Sequence, residues 1–315
     1  MSILSGEESI RSISDPIFVL LCHINNCLGL TYQGLIFILS AILIISAATF
    51  LKDCKEVLYY AFPLFFLFSL PAENLIRWFL AFSFLLLSVY HYNQKNIKKT
   101  IFFLVLVVGS HMGMLIVALI IIGVTFFKRP IFSWKISVSI YIFLWLFFST
   151  DYMVELAKYT NHFSFIASDY YAGYIENAEI WLSGTGMGDK AQNFGLGLAI
   201  PDILTIYLAY KVVYKRPQLT FYTNIYLIGV LLSAALLRLE IGYRISIVLT
   251  LFQSVVLAYA FKDYLFSKRH CDTLNKIFCW ILVLNLVRSY FVLVFTEMEV
   301  NQLLYIWDSN GRVVL

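Results

Sequence analysis

Hydrophobic residues form long, nearly uninterrupted runs along this chain. The runs fall at about 34–50, 57–70, 75–92, 100–127, 136–150, 192–212, 221–237, 243–261 and 277–295. Continuous apolar runs of this length are typical of membrane-spanning helices. We therefore predict an all-α fold, a polytopic helical bundle in which residues 1–315 form a single membrane domain. A weaker run at 17–30 is a candidate interfacial or re-entrant helix.

The composition supports this prediction. The chain is 61% hydrophobic and 13% charged, with a mean hydropathy of +0.81, whereas soluble domains carry about a quarter charged residues. The five cysteines follow no metal-binding or redox spacing and are interpreted as small hydrophobic residues. Residues 1–16 are polar and acidic, so we expect no cleavable signal peptide in this segment.

The positions of lysine and arginine predict the topology. Cytoplasmic loops of membrane proteins carry an excess of these residues. The basic loops here are 51–56, 93–99, 127–135, 211–217 and 261–276. Basic residues are scarce at 71–74, in the C-terminal tail and at 151–190, a segment with six acidic and two basic side chains. We expect residues 151–190 to form a long exterior loop, in which substrate specificity would reside.

The run at 100–127 conflicts with this rule unless it turns back. Both flanking loops are basic, so a single crossing would place one of them outside. The sequence GSHMG at 109–113 interrupts the run, and its glycines favour a break. We predict a broken hairpin over 100–127 with His111 at its exterior tip. The topology then has about ten crossings with both termini outside, which suggests that a preceding first helix is missing from this sequence.

Several ionisable residues meet at the exterior face under this topology. They are Glu73, Arg77, His111, Arg238, Glu240 and Arg244. Charges at the end of a membrane helix are costly and are usually retained for a partner or ligand. Guanidinium groups offer paired donors to phosphate oxygens, and a neighbouring histidine can act as a general base or as a hydrogen-bond donor to a leaving phosphate. A phosphate at the outer surface of a bilayer is most often a lipid-linked one, so the pattern is compatible with a site for glycosyl transfer from a polyprenyl-pyrophosphate donor.

Structural roles remain alternatives for the same residues. Arg77 could pair with Glu73 one helical turn earlier, and Arg244 could pair with Glu240 in the same way. His111 could bond a backbone carbonyl at the hairpin tip. Arg238 would then be left without a partner among these residues, which favours an anion site.

The stretch ENLIRWFLAFSFLLLSVYHYNQKNIKKTIFFLVLVVGSHMGMLIVALIII resembles the central signature of the EpsG/Wzy-type polysaccharide polymerases. Arg77, Ala81, the lysines of the 93–99 loop and His111 stand in the matching places. The segment EIGYRISIVL resembles the late helix start of that family, with Arg244 as the match. The segment SDPIFVLLCHINNCLGLTYQGLIFILSAI resembles the part that follows the family's first helix and exterior loop.

The resemblance implies a multi-pass enzyme of the bacterial inner membrane. It would polymerise undecaprenyl-pyrophosphate-linked oligosaccharide repeat units of an O-antigen, capsule or exopolysaccharide at the outer face, without cofactor, metal or nucleic acid. His111 and Arg77 would be catalytic, and Arg77, Arg238 and Arg244 would bind pyrophosphate with support from Glu73 and Glu240. The partners would be the lipid-linked glycan, membrane lipid and a chain-length regulator protein.

Two other functions remain open at this point. A flippase for the same lipid-linked unit would carry charges along a central cavity and often shows internal repeats, which this sequence lacks. A membrane O-acyltransferase that decorates the polysaccharide would need an early intramembrane histidine or arginine cluster, for which His23 is the lone candidate.

Overall fold

The computed structural model describes residues 15–69, 76–147, 196–236, 240–266 and 272–292, and every regular element in these ranges is helical. In chain order the helices are α1 (Pro16–Cys27), α2 (Tyr32–Leu51), α3 (Leu58–Phe68), α4 (Ile76–Asn93), α5 (Ile97–Ser110), α6 (Met114–Val124), α7 (Trp134–Phe147), α8 (Leu196–Lys215), α9 (Thr220–Leu236), α10 (Glu240–Thr250), α11 (Gln253–Tyr264) and α12 (Thr273–Val292). Short 3₁₀ helices at Lys52–Val57 and Pro217–Leu219 join neighbouring helices. The all-α prediction is confirmed.

Four helical stretches in the described ranges are long and apolar enough to cross a membrane, namely Tyr32–Phe68, Pro217–Leu236, Arg244–Tyr264 and Thr273–Phe291. Shorter apolar helices accompany them. Large apolar side chains cover the outside of the bundle, and Phe37, Val105 and Phe126 are each more than half exposed. Such a surface suits contact with lipid chains. The protein is therefore a multi-pass membrane protein, while the number of ten crossings stays a prediction.

Helix α4 forms the centre of the bundle. It packs against α2 and α5, and its residues from Trp78 to Ser83 are all buried. Ala81 is fully buried, and the Phe82 ring contacts those of Phe65 and Phe252 at centroid distances of 6.1 and 6.3 Å. The buried residues of α4 run from Trp78 to Val89, so the middle of this helix is enclosed by its neighbours and its position in the bundle is fixed by packing.

The predicted apolar run at 243–261 is interrupted in the structure between α10 and α11. The Thr250 hydroxyl donates a hydrogen bond to the Ile247 carbonyl, at 3.0 Å, and the Ser254 hydroxyl donates to the Leu251 carbonyl, at 2.8 Å. Hydroxyl groups that bond to preceding carbonyls compete with the helical backbone and bend helices. Hydropathy alone does not register such a bend, because both halves remain apolar.

The loop after α4 is joined to two other basic segments. The Asn93 amide donates to the Tyr222 hydroxyl at 2.7 Å and to the Asp53 carboxylate at 3.3 Å. The Gln94 amide donates to the same carboxylate at 2.9 Å. These contacts bring the end of α2, the end of α4 and the start of α9 together.

Ion pairs extend this grouping to the remaining loops. Arg216 binds Asp263 through two hydrogen bonds, of which the Nη2 to Oδ1 bond measures 2.9 Å. Lys262 binds Glu56 at 2.9 Å. We call the resulting region the basic end, and it includes the loops at 51–56, 93–99 and 211–217 and the start of 261–276.

The hairpin predicted at 100–127 is confirmed. Helix α5 ends at Ser110 and α6 begins at Met114, so the chain breaks at His111. Farther along, the Ile131 amide donates to the Asn224 Oδ1 atom at 3.1 Å, and the side chain of Asn224, near the start of α9, returns a bond to the carbonyl of Arg129. The chain therefore leaves the basic end through α5 and returns to it after α6.

The other end of the bundle carries Asp15, Arg77 and His111, and we call it the histidine end. Arg77 and Asn93 lie near opposite ends of α4, about 24 Å apart by the helical rise per residue. Helix α2 finishes at the basic end, so Tyr32 at its start lies toward the histidine end. Helix α1, which starts at Asp15, is joined to α2 by a tight turn with Gly29 at a φ of +65°. Helix α1 therefore has both ends in the same half of the bundle, as expected for an interfacial or re-entrant helix.

Candidate functional site

The site at the histidine end is built around the carboxylate of Asp15. Asp15 is the N-cap residue of α1, and Pro16 occupies the first helical position, where its fixed φ favours helix initiation. The carboxylate makes no capping hydrogen bond to α1, although capping is the common role of an aspartate there. The Asp15 side chain is only 3% exposed and points instead toward α4 and the turn after α5.

Arg77 is the first partner of this carboxylate. It is the second residue of α4, and its Nη1 atom donates a hydrogen bond to Asp15 Oδ2 at 3.0 Å. The guanidinium carbon also lies 5.4 Å from the centre of the Phe18 ring, within cation–π range. The Arg77 side chain remains 38% exposed. The guanidinium therefore faces both the buried acid and the surroundings of the protein.

His111 is the second partner. It follows the last residue of α5 in an extended conformation, with φ −161° and ψ 115°. Its Nδ1 atom lies 3.3 Å from Asp15 Oδ2, and the backbone amide of Met112 donates to Asp15 Oδ1 at 3.3 Å. The break in the apolar run thus serves to turn both a ring nitrogen and an amide toward one carboxylate.

The charge state of Asp15 follows from these contacts. Burial by itself raises the pKa of the Asp15 carboxyl, but the hydrogen bonds and charges of His111 and Arg77 outweigh this effect and lower the pKa overall. The group is therefore a carboxylate at neutral pH and can only accept hydrogen bonds. A carboxylate needs a donor opposite it, so we assign a proton to His111 Nδ1 in this contact, which leaves Nε2 as the nitrogen that can accept a proton when the ring is uncharged.

Trp78 and Gly113 hold the His111 ring in place. The indole and imidazole centroids are 4.9 Å apart at an angle of 58°. A Cβ atom added at Gly113 would lie 3.2 Å from His111 Nε2 and 3.2 Å from Trp78 Cζ2. That spacing is tight for a methyl group, so the absence of a side chain at Gly113 allows the ring to lie against the turn.

Arg244 reaches the same end of the bundle on a separate helix. It lies in the second turn of α10, and its side chain is half-buried. Helix α10 packs on α9 and also contacts α6, the helix that follows His111. Because α11 ends near Asp263 at the basic end, Arg244 lies toward the histidine end. The structure places Arg77 and His111 on one carboxylate, with Arg244 on a neighbouring element.

The side chains of the other three predicted site residues are not among those that the structure describes. Glu73 and Arg238 lie outside the described residues, and for Glu240 only the helical backbone is described. The acidic segment 151–190 is likewise outside them. The alternative pairings of Arg77 with Glu73 and of Arg244 with Glu240 therefore remain untested. A third alternative is a hydrogen bond from His111 to a backbone carbonyl. The structure instead shows His111 Nδ1 in contact with the Asp15 carboxylate.

Sequence reasoning missed Asp15 and one further acidic residue. An aspartate before a proline and an apolar run is the ordinary signature of a helix start, so nothing local marks Asp15 as a ligand of distant side chains. Asp202, within α8, accepts a hydrogen bond from the buried Tyr141 hydroxyl at 2.7 Å. An acidic residue inside an apolar run is the signal that would have drawn attention to it.

Comparison with known proteins identifies the family. The family model described as "EpsG family" matches residues 2–305, which is nearly the whole chain. The chain belongs to the EpsG family. EpsG proteins are Wzy-type polysaccharide polymerases, so membership indicates a polymerase-type role in polysaccharide biosynthesis, with glycosyltransferase-like chemistry on a lipid-linked glycan in a membrane. No curated protein and no solved structure matched this EpsG-family chain.

Proposed function

We propose that this EpsG-family protein joins undecaprenyl-pyrophosphate-linked oligosaccharide repeat units at the outer face of the bacterial inner membrane. The observation that carries the proposal is the meeting of Arg77 and His111 on the Asp15 carboxylate, at the end of the bundle opposite the basic loops. The positive-inside rule assigns the basic end to the cytoplasm. The arginine and histidine would then face the side where lipid-linked units are polymerised.

The proposed reaction is a glycosyl transfer between two lipid-linked chains. A hydroxyl oxygen of the acceptor sugar attacks the anomeric carbon of the donor glycan and forms the new glycosidic bond. The bond between that carbon and the pyrophosphate oxygen breaks, and undecaprenyl pyrophosphate leaves with the electron pair. The hydroxyl proton passes to His111 Nε2, which acts as the general base.

The arginines would stabilise the departing pyrophosphate. Arg77 keeps more than a third of its side chain exposed beside its hydrogen bond to Asp15, and the planar guanidinium group matches the geometry of phosphate oxygens. We propose that Arg77 binds the pyrophosphate together with Arg238 and Arg244, with Glu73 and Glu240 orienting these side chains. Such donors stabilise the negative charge that develops on the leaving pyrophosphate in the transition state.

The gel ladder of surface polysaccharide tests the proposal. The gene is deleted in the source organism and restored as wild type, Arg77→Lys, His111→Gln or Arg244→Lys, with the amount of protein in the membrane measured for each. Two matched control variants, Arg129→Lys and His91→Gln, make the same changes toward the basic end. We expect the deletion to reduce the ladder to a single repeat unit, and only the wild type and the controls to restore it.

Two results would contradict the proposal. A ladder that survives deletion would exclude a polymerase. Lipid-linked units that accumulate on the cytoplasmic side of the deletion strain would favour the flippase alternative, because a polymerase acts after the units have crossed the membrane.

A regulator of chain length would be a further partner, and its loss would change the length distribution of the ladder without abolishing it.

A further inference from the structure

We infer that Asp15 is a positioning residue that fixes the orientation and tautomer of His111 for the glycosyl transfer proposed above, on which this inference rests. Asp15 acts through the imidazole and does not itself touch the reacting atoms. Its carboxylate accepts a hydrogen bond from the Nδ1–H group of His111 and thereby leaves Nε2 free to act as the base. No feature of the sequence pattern assigns this role to Asp15.

The burial of Asp15 argues against a purely local role. A buried carboxylate is expensive unless its oxygens are fully paired. Here one oxygen accepts from Arg77 and His111, and the other accepts from the Met112 amide. All three donors come from segments distant in the chain, and none belongs to α1. The N-terminus of α1 thus carries an acid that stabilises other elements while contributing no cap to its own helix.

The packing of α1 explains how the Asp15 carboxylate is held next to the turn that carries His111. Ile17 lies so close to Gly109 that a Cβ atom on the glycine would be 2.9 Å from Ile17 Cγ1. Cys22 is buried in a cluster with Leu35, Leu39 and Leu80. The start of α1 is therefore pressed against the end of α5, directly before the turn that carries His111.

The geometry favours a proton on His111 Nδ1. If Nδ1 were unprotonated, two acceptors would face each other at 3.3 Å in a partly buried position, and each would lose a hydrogen bond. The proton on Nδ1 avoids this conflict and leaves Nε2, which lies beside Gly113 and Trp78, as the proton acceptor. An imidazole with the opposite tautomer would present an N–H to the acceptor hydroxyl and could not remove its proton.

Arg77 shares the oxygen that binds His111, so the acid links the two groups of the site. Arg77 Nη1 and His111 Nδ1 both contact Asp15 Oδ2, at 3.0 and 3.3 Å. Asp15 therefore keeps the proposed pyrophosphate-binding arginine and the proposed base at a fixed separation. Precise placement of binding and reacting groups contributes strongly to rate, and small displacements are costly.

The test compares Asp15→Asn with Asp15→Glu. Native membrane vesicles that carry the full-length protein are supplied with lipid-linked repeat units extracted from the deletion strain, and initial rates of chain extension give kcat and KM per amount of protein. Asn keeps the size of the side chain, but its amide can donate to Nδ1 and so stabilise the wrong tautomer. We expect Asp15→Asn to lower kcat by about 10²-fold or more with a small change in KM, and Asp15→Glu to restore part of the rate.

A double-mutant cycle separates positioning from general damage. If Asp15 acts through His111, Asp15→Asn lowers kcat in the wild-type protein but adds almost nothing to His111→Gln. Loss of structure would instead lower the rate in both backgrounds. The matched control is Asp53→Asn, which removes the charge of a carboxylate at the basic end and should leave kcat unchanged. Should Asp15→Asn fail to accumulate, Asp15→Glu and Asp15→Gln are compared, and Glu must have the higher kcat.

The outcomes distinguish this inference from the proposed function. If wild-type vesicles extend the units and the Asp15→Asn variant has the same kcat as the wild type, the role of Asp15 is wrong while the proposed function stands. Equal losses in the wild-type and His111→Gln backgrounds overturn that role as well. Wild-type vesicles that extend no units overturn the proposed function, and the inference falls with it.

Discussion

The Asp15 carboxylate and the His111 imidazole, 96 residues apart in sequence, lie 3.3 Å from each other at one end of the bundle. Arg77 binds the same carboxylate oxygen at 3.0 Å. Three segments contribute to this contact, namely the start of α1, the start of α4 and the turn after α5. The histidine that interrupts the longest apolar run is therefore held by an acid as well as by the turn itself.

The stability contributed by Asp15 should decrease when the pH becomes acidic. Its pKa is lowered from the ordinary 3.8, so the contribution is complete above that pH and is lost as the pH falls through the lowered value. Asp15→Asn should reduce the stability of the purified protein at pH 7 by on the order of 1 kcal/mol. Thermal unfolding of both proteins in detergent should show this difference shrinking below pH 3.8. A difference that is constant down to pH 2 would exclude a paired carboxylate.

A methyl group at position 113 should displace the His111 ring while leaving the backbone fold intact. The backbone φ of −58° suits alanine, but the new Cβ would lie 3.2 Å from both His111 Nε2 and Trp78 Cζ2. We expect Gly113→Ala to lower polymerisation by about tenfold, because a small displacement of the base is costly. The rate is measured per amount of membrane protein.

Gly123 provides the matched control for this substitution. No atom lies within 4 Å of a Cβ added there, and the position is inside α6. Gly123→Ala should keep full activity and raise stability by about 0.5–1 kcal/mol, since alanine is the better helix former. Equal activity of the two alanine variants would show that the ring at position 111 is not confined by Gly113.

The ion pair between Arg216 and Asp263 should stabilise the basic end. Both side chains are less than a quarter exposed, the contact has two hydrogen bonds, and the Arg216 guanidinium also lies 4.9 Å from the Tyr259 ring. Asp263 is the main cause of the raised pKa of Arg216. Asp263→Asn should cost about 2 kcal/mol of unfolding free energy, measured by thermal denaturation in detergent, and much less in an Arg216→Met background.

The exposed pair of Lys262 and Glu56 is the control for that prediction. Their side chains are 38% and 65% exposed, so solvent screens the attraction. Lys262→Met should leave the thermal midpoint unchanged. A loss as large as that of Asp263→Asn would mean that burial does not govern the strength of these pairs.

Cysteine labelling should place the two ends of the bundle on opposite sides of the membrane. In a variant without the native cysteines, Met112→Cys should react with an impermeant maleimide in intact spheroplasts. Lys95→Cys and Lys128→Cys should react only after permeabilisation, because the hairpin returns residues 129–131 to the basic end. If Lys95→Cys and Lys128→Cys were labelled from different sides, the segment between them would cross only once.

Much of the fold was predictable from local patterns. The break at His111 follows from two glycines in an apolar run that is flanked by basic loops on both sides, and the structure confirms it. The grouping of the basic loops was also predictable, because sidedness in a membrane is governed by charge. The bend between Thr250 and Gln253 was missed, since it depends on hydroxyl–carbonyl hydrogen bonds that hydropathy does not register.

The sequence by itself determined the helical membrane fold, the turn at His111 and the candidate roles of Arg77, His111 and Arg244. Hydrophobicity and charge act along the chain, and a membrane converts them directly into helices and sidedness. Only the tertiary structure decided that Asp15 is the acid that joins Arg77 to His111. A helix-capping aspartate and a charge partner look identical in sequence, and the choice between them depends on how α1 packs against α4 and α5.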